Sequence, residues 1–386
     1  MAYRRLRVDG LACVRAIPDP RWITALPSPS VEGYNRLHHS KDILAHVSCQ
    51  EGDRMVEAMP SVYVTRQIPD AGLNLLRGCA QVKVWEGELP PSREVLLEEL
   101  SAVDGVLSLL TDRIDAEIMD RAPRLRAISN YAIGYDNIDV QAATERGIMV
   151  CHTPGVLTDT TADFAFTLLA CVARRVIEAA NYVRAGRWKT WGPMLCLGYD
   201  LHGATLGLVG LGRIGGEVAK RARGFEMRVL YHDLDRQTRL ERELGLVYTD
   251  LDTLLRESDF ISLHTPLTPE THHLIAAKQF AMMKKTAVFV NTSRGQVVDQ
   301  QALYQALVSG EIAGAGLDVT DPEPIAPDDP LLELDNCVVV PHIASASVAA
   351  RTLMATMAAE NLVAALQGRM PRNPVNPEVL DMKGRR

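Results

Sequence analysis

The stretch ATLGLVGLGRIGGEVAKRARGFEMRVLYHD, residues 204–233, gives the clearest indication of architecture in this chain. Its short apolar opening predicts a buried parallel strand. A turn containing Gly210, Gly212 and Gly215 follows, and the apolar residues after it recur with the period of a helix. A second predicted strand, residues 227–231, ends beside Asp233. Strand, glycine turn, helix, strand and acid in this order predict a βαβ unit that binds a dinucleotide.

Each glycine of the turn has a physical role. One makes the tight turn, one lets the backbone approach a pyrophosphate, and one lets the helix pack against the strand. Free N–H groups at the helix start attract phosphate, and the acid about 20 residues on accepts from a ribose 2′-hydroxyl. A βαβ unit without nucleotide is the alternative. The cofactor-binding residues predicted from this stretch are Gly210, Gly212, Arg213, Ile214, Gly215 and Asp233.

Length and composition limit the class of protein. The 386 residues, 47% hydrophobic and 23% charged, suit two or three globular domains. A net charge of −7 argues against a nucleic-acid binder, and no apolar run approaches the roughly 18 residues that span a bilayer. The seven cysteines are scattered without a CxxC pair, which predicts reduced thiols and a cytoplasmic location.

Residues 1–58 differ from the rest of the chain. They contain clustered prolines and mixed charge, without a sustained period of 2 or 3.6. We expect a poorly ordered N-terminal extension or a mis-assigned start, with the natural start at Met59. A transit peptide is a weaker interpretation because Asp9, Asp19 and Glu32 are out of place in one.

Regular alternation of strand and helix begins after Met59 and continues to the C-terminal region. This pattern predicts the α/β class, with two doubly wound parallel-sheet domains: one flavodoxin-like, the other a Rossmann domain, and a cleft between them. Further predictions are a long helix over residues 158–185, a helix over 271–284 and an amphipathic helix over 345–367. The wide apolar face of helix 158–185 indicates either core or a subunit interface.

Three polar residues follow predicted buried strands, at the positions where ligands bind in open α/β sheets. They are Arg294, Glu323 and His342. Alone, each is more often a surface arginine, a solvated turn residue or a structural histidine. Together they provide the cation, the acid and the titratable base that reduction of an α-keto acid needs.

Several segments make a family resemblance specific. NTSRG (291–295), GLDVTDPEP (316–324) and VVPHIAS (339–345), after GLGRIG, resemble the D-isomer-specific 2-hydroxyacid dehydrogenases. NYAIGYDNID (130–139), TPGVLTDTTAD (153–163) and KKTAVFVNTSRGQVVD (284–299) are similar to the glyoxylate/hydroxypyruvate reductase branch. The resemblance extends from Met59 to the C-terminus and includes none of residues 1–58.

The resemblance implies a catalytic set. Arg294 would bind the substrate carboxylate and the reacting carbonyl oxygen, where its fork offers two donors. His342 would be the general acid in reduction and the base in oxidation, and Glu323 would orient the imidazole and favour its protonated form. Backbone N–H groups of Ile133 and Gly134 would bind the other side of the carboxylate. Substrate would lie between the domains, and no metal is needed.

The resemblance also implies the cofactor site. Thr161, Thr292, Asp318 and His342 would contact the cofactor, Asp318 at the nicotinamide carboxamide. Asp233 repels a 2′-phosphate and so favours NAD(H), while the nearby Arg236 keeps NADP(H) as the second option. The substrate-binding domain would comprise residues 59–156 and 344–375, the dinucleotide-binding domain residues 157–343. The implied partners are a small 2-keto or 2-hydroxy acid and a second subunit in a homodimer.

Some positions depart from the family pattern. Ala344 stands where glycine is usual and would crowd the loop near the nicotinamide. Leu195, close to the retained Trp191, replaces a tryptophan of some members and would widen the substrate pocket. One alternative function is an NAD-sensing corepressor-type binding protein with the same fold. Another is a dehydrogenase for a bulkier 2-keto acid; formate and phosphite dehydrogenases rank lower.

Overall fold

The computed structural model describes residues 59–383, and the extension predicted for residues 1–58 lies outside this range. Two parallel sheets with helices on both faces make up the described part of the chain. Within residues 59–383, no helix is both long and apolar enough to cross a bilayer.

The first sheet has five strands in the order β2-β1-β3-β4-β5, all paired in parallel. This is the flavodoxin-like order, and it confirms the predicted class for this half of the molecule. The strands are β1 (Ser61–Val64), β2 (Gln81–Val84), β3 (Gly105–Ser108), β4 (Ala127–Asn130) and β5 (Met149–Cys151). The helices between and after them are α1 (Asp70–Arg77), α2 (Arg93–Leu100), α3 (Ala116–Asp120) and α4 (Val140–Glu145).

Alternate residues of these strands supply two separate cores. Val62 and Val64 of β1 pack in one cluster with Leu73 of α1, whereas Tyr63 packs on the opposite face with Leu96 of α2 and Ile118 of α3. Because successive side chains of a strand point to opposite faces, a sheet covered on both sides needs apolar residues at every position. The run SVYV meets this requirement.

The second sheet has seven parallel strands, in the order β12-β11-β10-β9-β6-β7-β8. Read from β8, this is the Rossmann order with one strand added at the far edge. The strands are β6 (Thr205–Val209), β7 (Arg228–His232), β8 (Val247–Tyr248), β9 (Phe260–Leu263), β10 (Val288–Asn291), β11 (Gly314–Leu317) and β12 (Cys337–Val339). The helices are α5 (Thr158–Ala173), α6 (Val176–Arg184), α7 (Arg213–Ala222), α8 (Thr238–Leu244), α9 (Leu251–Glu257), α10 (Ala277–Phe280) and α11 (Gln300–Ser309).

Helices cover both faces of this sheet too. Helices α5 and α7 bury Leu169 and Val218 against one face, and α9 and α11 bury Leu254 and Leu303 against the other. The strand order reverses between β6 and β9, which is where a Rossmann sheet opens the crevice for its ligand. The glycine turn after β6 therefore lies at the predicted nucleotide position.

Two segments join the sheets. The chain leaves β5 at Cys151 and enters α5 at Thr158, and it returns from β12 to α12 (Val348–Leu366), which contacts β3, β4 and β5. Ser347 precedes helix α12 as its N-cap, and its hydroxyl accepts from the N–H of Ala350. This confirms the helix predicted over residues 345–367, with slightly tighter bounds. The last helix is α13 (Glu378–Lys383).

Two helix predictions were wrong. The predicted helix 158–185 is broken at Arg175, whose φ of 52° lies in the left-handed region. Helix α5 before the break buries nine residues and α6 after it buries none, so the two parts have different environments. Over residues 271–284 only Ala277–Phe280 is helical, because tight hydrogen-bonded turns centred on Thr268 and Thr271 precede it.

Candidate active site

Three neighbouring strands of the second sheet end at polar residues. Arg294 follows β10, Glu323 follows β11 and His342 follows β12, and these strands are adjacent in the sheet. The carboxyl ends of parallel strands lie along one edge, so residues far apart in sequence are brought to the same edge. The predicted cation, acid and base therefore belong to one region of the molecule.

His342 and Glu323 are paired. Nδ1 of His342 lies 2.6 Å from Oε1 of Glu323, and the two side chains are 23% and 31% exposed. A carboxylate can only accept, so Nδ1 carries the proton of this hydrogen bond. Nε2 is then the ring nitrogen available to exchange a proton with a ligand.

The turn that carries His342 is held by Asp318. The backbone of His342 has a φ of 51°, and its N–H donates to the carbonyl oxygen of Asp318 at 2.9 Å. The two carboxylate oxygens of Asp318 accept from the N–H groups of Ile343 at 2.7 Å and Ala344 at 3.0 Å. Asp318 is 1% exposed, and burial raises the pKa of its carboxyl. Its contact with a nicotinamide stays a prediction.

Arg294 reaches across to the first sheet. Its Nε and Nη2 donate to Oδ1 of Asp136 at 3.3 and 3.2 Å, and Nη1 donates to the carbonyl oxygen of Ser293 at 2.9 Å. The carbonyl oxygen of Arg294 accepts from Nδ2 of Asn291 at 2.8 Å, which fixes the start of the side chain. A guanidinium held between the two sheets by one carboxylate is placed where it can bind another.

Two glycines allow this close packing. A Cβ at Gly295 would lie 1.9 Å from the carbonyl oxygen of Thr320, so glycine is needed for the turn after β10 to lie against the segment after β11. A Cβ at Gly134 would lie 1.9 Å from Nη2 of Arg294. The guanidinium therefore lies directly against the backbone that was predicted to bind the substrate carboxylate.

The loop around Gly134 has its carbonyl groups tied to the first sheet. The carbonyl oxygen of Ala132 accepts from the N–H of Thr153 at 2.8 Å. Those of Ile133 and Gly134 accept from Nδ1 of His152 at 2.7 Å and Nδ2 of Asn130 at 2.9 Å. In a trans peptide the N–H points opposite to the C=O. The N–H groups at positions 133, 134 and 135 therefore point away from this scaffold, as in an anion-binding backbone concavity.

Three residues of this region were not predicted from the sequence as site residues: Asp136, Asn130 and His152. Each is polar and follows a buried strand of the first sheet, or ends one, so the strand-end search that found Arg294 would have selected them too. The hydrogen bonds that define what they do join residues 158, 4 and 19 positions apart. No local motif reports the contacts of Asp136 and His152, whereas Asn130 and Gly134 lie within one motif, NYAIGYDNID.

The glycine turn fits a bound dinucleotide. Gly210 has a φ of +93°, and a Cβ there would lie 2.9 Å from the backbone of His264. A Cβ at Gly212 would meet nothing within 4 Å, so its backbone is open to a ligand. No side chain in residues 59–383 caps the start of α7, which leaves the N–H groups of Arg213, Ile214 and Gly215 for an anion.

Buried hydroxyls provide a second sign of a ligand. In the described part of the chain, Oγ1 of Thr161, Thr292 and Thr265 is buried without a hydrogen-bond partner. Such groups are normally satisfied, by protein, water or ligand. Thr161 and Thr292 were predicted to contact the cofactor, and Thr265, after β9, was missed. The donor and acceptor set therefore fits a dinucleotide along this edge.

Asp233 and the aromatic loop complete the predicted set. Oδ2 of Asp233 accepts from the N–H of Leu211, within the glycine turn, at 2.6 Å. Trp191 and Leu195 lie in the loop after α6 and are 78% and 39% exposed. A substrate-pocket role for this loop stays a prediction.

Comparison with known proteins gives consistent results. A family model for the NAD-binding domain of D-isomer-specific 2-hydroxyacid dehydrogenases matches residues 166–344. A protein of Korarchaeum cryptofilum named glyoxylate reductase is 57% identical over 325 residues, which is 84% of this chain and 98% of the relative.

Solved structures show the same similarity. A protein of Thermus thermophilus is 50% identical with a TM-score of 0.78, over 82% of this chain and 99% of that one. An NADPH-dependent glyoxylate/hydroxypyruvate reductase of Sinorhizobium meliloti, in complex with NADP and malonate, is 32% identical with a TM-score of 0.72, over 83% of this chain and 98% of that one.

Proposed function

Because the chain belongs to the D-isomer-specific 2-hydroxyacid dehydrogenase family, and is therefore an NAD(P)-dependent oxidoreductase, we propose that it reduces glyoxylate and hydroxypyruvate to glycolate and D-glycerate. The observation that carries the proposal is the His342–Glu323 pair, 2.6 Å apart. It lies at the same sheet edge as Arg294, whose guanidinium packs on the backbone of Gly134. The name of the Korarchaeum relative supports the choice of substrate.

In this proposal, Arg294 and the backbone N–H groups of Ile133 and Gly134 bind the substrate carboxylate. The substrate carboxylate then replaces Asp136 as the acceptor of the Arg294 guanidinium. Only side-chain rotation is needed, because the Arg294–Asp136 ion pair is exposed. A carboxylate held from both sides fixes the reacting carbonyl next to Nε2 of His342. Small keto acids suit this arrangement because the carboxylate is their main recognition group.

The reduced nicotinamide, when bound, supplies a hydride to the carbonyl carbon. His342 gives the proton at Nε2 to the carbonyl oxygen, so the C=O double bond becomes a C–O single bond, with a new C–H bond from the hydride and a new O–H bond from His342. Glu323 keeps the ring oriented through Nδ1 and balances the charge of the imidazolium before transfer. Arg294 stabilises the negative charge that develops on the oxygen.

The residues that would hold the cofactor lie along the carboxyl edge of the second sheet. The turn of Gly210 and Gly212 and the start of α7 would bind the pyrophosphate. Asp233 would accept from the ribose, and the buried hydroxyls of Thr161 and Thr292 would each gain a partner. We propose NAD(H) as the preferred cofactor because Asp233 is anionic.

We propose the same two domains as the sequence predicts, one for the substrate and one for the dinucleotide. Residues 59–156 and 344–375 would form the substrate-binding domain, since α12 packs on the first sheet. Residues 157–343 would form the dinucleotide-binding domain, since α5 packs on the second sheet. The cleft between the two would hold the substrate.

A homodimer is also proposed. Helix α6 buries no residue of its own, and it exposes Val176, Ile177 and Val183. The loop after it exposes Trp188 and Trp191 as well. Exposed apolar surface of this extent is typical of a protein interface. Cys151, a buried free thiol, and Cys337, a half-buried one, support a reducing, cytoplasmic location.

An absorbance assay at 340 nm tests the function, with glyoxylate, hydroxypyruvate and pyruvate each offered with NADH and with NADPH. Fast oxidation with glyoxylate or hydroxypyruvate would support the proposal. A clear preference for pyruvate or a bulkier keto acid would contradict the substrate choice. Tight NAD binding without turnover of any keto acid would favour an NAD-sensing binding protein instead.

A further inference from the structure

Asp233 meets the cofactor site with one carboxylate oxygen already engaged. Its Oδ2 accepts from the N–H of Leu211 at 2.6 Å, and Oδ1 has no hydrogen-bond partner among residues 59–383. An acid at this position hydrogen-bonds a ribose 2′-hydroxyl, whereas a nearby arginine accommodates a 2′-phosphate. The choice between the two cofactors therefore depends on which cations can reach this position.

Arg236, three residues on, is the cation nearest in sequence to Asp233, and its guanidinium is engaged elsewhere. Nε donates to Oε1 of Glu241 at 2.8 Å, and Nη2 donates to Oε2 at 3.0 Å. This is the two-pronged geometry with which arginine binds a carboxylate or a phosphate. Glu241 therefore occupies the same donors that a 2′-phosphate would use.

The carboxylate of Glu241 is itself fixed. Its Oε1 also accepts from the hydroxyl of Tyr231 at 2.8 Å, and the side chain is only 14% exposed. The arginine lies over the ring of Tyr248, with Cζ 5.7 Å from the ring centre. The hydroxyl of Tyr248 in turn donates to the carbonyl oxygen of Asp233 at 3.4 Å. The pair thus lies next to the predicted ribose site and is anchored to β7.

We propose that Glu241 is a specificity-determining residue: it holds Arg236 away from a 2′-phosphate, so that preference for NAD(H) depends on two carboxylates, Asp233 and Glu241. This inference rests on the proposed nucleotide site and deepens it. Arg236 is 60% exposed, so its side chain is free to turn once Glu241 no longer accepts both donors. Loss of the glutamate charge would also weaken the repulsion of the phosphate.

The test is Glu241→Gln in the full chain, with binding of NADPH and NADH followed by the fluorescence of the reduced nicotinamide, without keto acid. The glutamine retains an acceptor for Tyr231 but loses the charge and one of the two acceptor oxygens. We expect NADPH to bind about fivefold more tightly, because the arginine of the pair is 60% exposed and its guanidinium is readily exchanged from one acceptor to another. The dissociation constant of NADH should change by less than about twofold.

Helix α8 provides a matched control. Arg239 and Glu243 form an ion pair at 2.7 Å, also on α8 and only two residues further along. Glu243→Gln removes the same charge from the same helix but leaves Arg236 bound to Glu241. An equal gain in NADPH affinity in this variant would mean that net charge alone is responsible, and it would overturn the proposal.

The double variant Arg236→Gln/Glu241→Gln tests whether Arg236 is responsible for the gain in NADPH affinity. The gain seen in Glu241→Gln should disappear, and its persistence would also overturn the proposal. The outcome is separable from the proposed function. If NADH binds normally but Glu241→Gln leaves NADPH affinity unchanged, only this inference fails; if neither nucleotide binds the parent chain, the proposed function fails.

Discussion

The two sides of the proposed active site are built in different ways. The second sheet contributes side chains with charge or proton-transfer capacity, such as Arg294 and His342, each attached to a strand end. The first sheet contributes backbone N–H groups near Gly134. The carbonyl groups of Ile133 and Gly134 in this loop accept hydrogen bonds from His152 and Asn130. The function of the second-sheet side therefore depends on which side chains are present, whereas the function of the first-sheet side depends on how the backbone is oriented.

This difference affects how each side responds to substitution. Removing a charged side chain removes a reacting or binding group, so a loss of turnover is expected. Changing a residue that orients the backbone leaves every reacting group in place, so the Michaelis constant should change more than the turnover number. The turnover number and the Michaelis constant therefore report on different sides of the site.

His342→Ala should give the largest loss, because it removes the only proposed proton donor. We expect the turnover number with glyoxylate to fall by about 10²- to 10⁴-fold. Binding of NADH, measured by fluorescence, should persist. Glu323→Gln keeps an acceptor for Nδ1 but not the charge, and a smaller loss is expected. Near-normal turnover of His342→Ala would reject the assignment.

Gly134→Ala tests the contact between the two sides. The new Cβ would lie 1.9 Å from Nη2 of Arg294, the far end of a flexible side chain. The guanidinium should therefore move while the fold persists. We expect the Michaelis constant for glyoxylate to rise by about tenfold and the turnover number to fall as well, because Arg294 also stabilises the developing charge, with little change in melting temperature.

Gly224→Ala is the control for that variant. A Cβ at Gly224 would meet nothing within 4 Å, so neither the Michaelis constant nor the melting temperature should change. If Gly134→Ala leaves the Michaelis constant at the parent value, the guanidinium and this backbone do not bind the carboxylate together.

The sequence predicted the second sheet well because its key contacts are local. The unit from β6 to Asp233 lies within one stretch of about 30 residues, and its glycine spacing reports the turn directly. The set of Arg294, Glu323 and His342 was recognisable since parallel strands must end at one edge. Sequence also predicted Gly134, but only through a resemblance.

Other features depended on contacts that no local pattern reports. The break at Arg175 divides an apolar pattern that looks continuous, because α5 finds a core to pack on and α6 does not. The pairing of Arg294 with Asp136 joins the two sheets across 158 residues. Residues 271–276 do not form the predicted helix because the side chains of Thr268 and Thr271 hydrogen-bond to nearby backbone groups and stabilise turns instead.

His152 provides a finer test of the backbone side. Its Nδ1 donates to the carbonyl oxygen of Ile133 at 2.7 Å. In His152→Asn, the amide nitrogen replaces Nδ1 and should retain this bond. His152→Ala loses it, and the Michaelis constant for glyoxylate should rise by about three- to tenfold with little change in turnover number. Equal defects in the two variants would contradict this role.

The smallest predicted effect concerns the support of the glycine turn. His264 follows β9, its Nε2 lies 2.9 Å from Oγ of Ser262, and burial lowers the pKa of its imidazole to about 4. The unfolded chain therefore binds a proton more readily between pH 6.5 and 4, so the folded state loses stability as the pH falls through this window.

The contribution of His264 is fully present at about pH 8, well above the unfolded pKa, and should be smaller by roughly 0.8 kcal/mol at pH 6. His264→Gln cannot take up that proton, so its free energy of unfolding in urea should change less between pH 8 and pH 6 than that of the parent. Parallel pH dependence in both chains would show that the imidazole is already solvated in the folded state. The second-sheet side would then be less rigid at the glycine turn than its buried strands suggest.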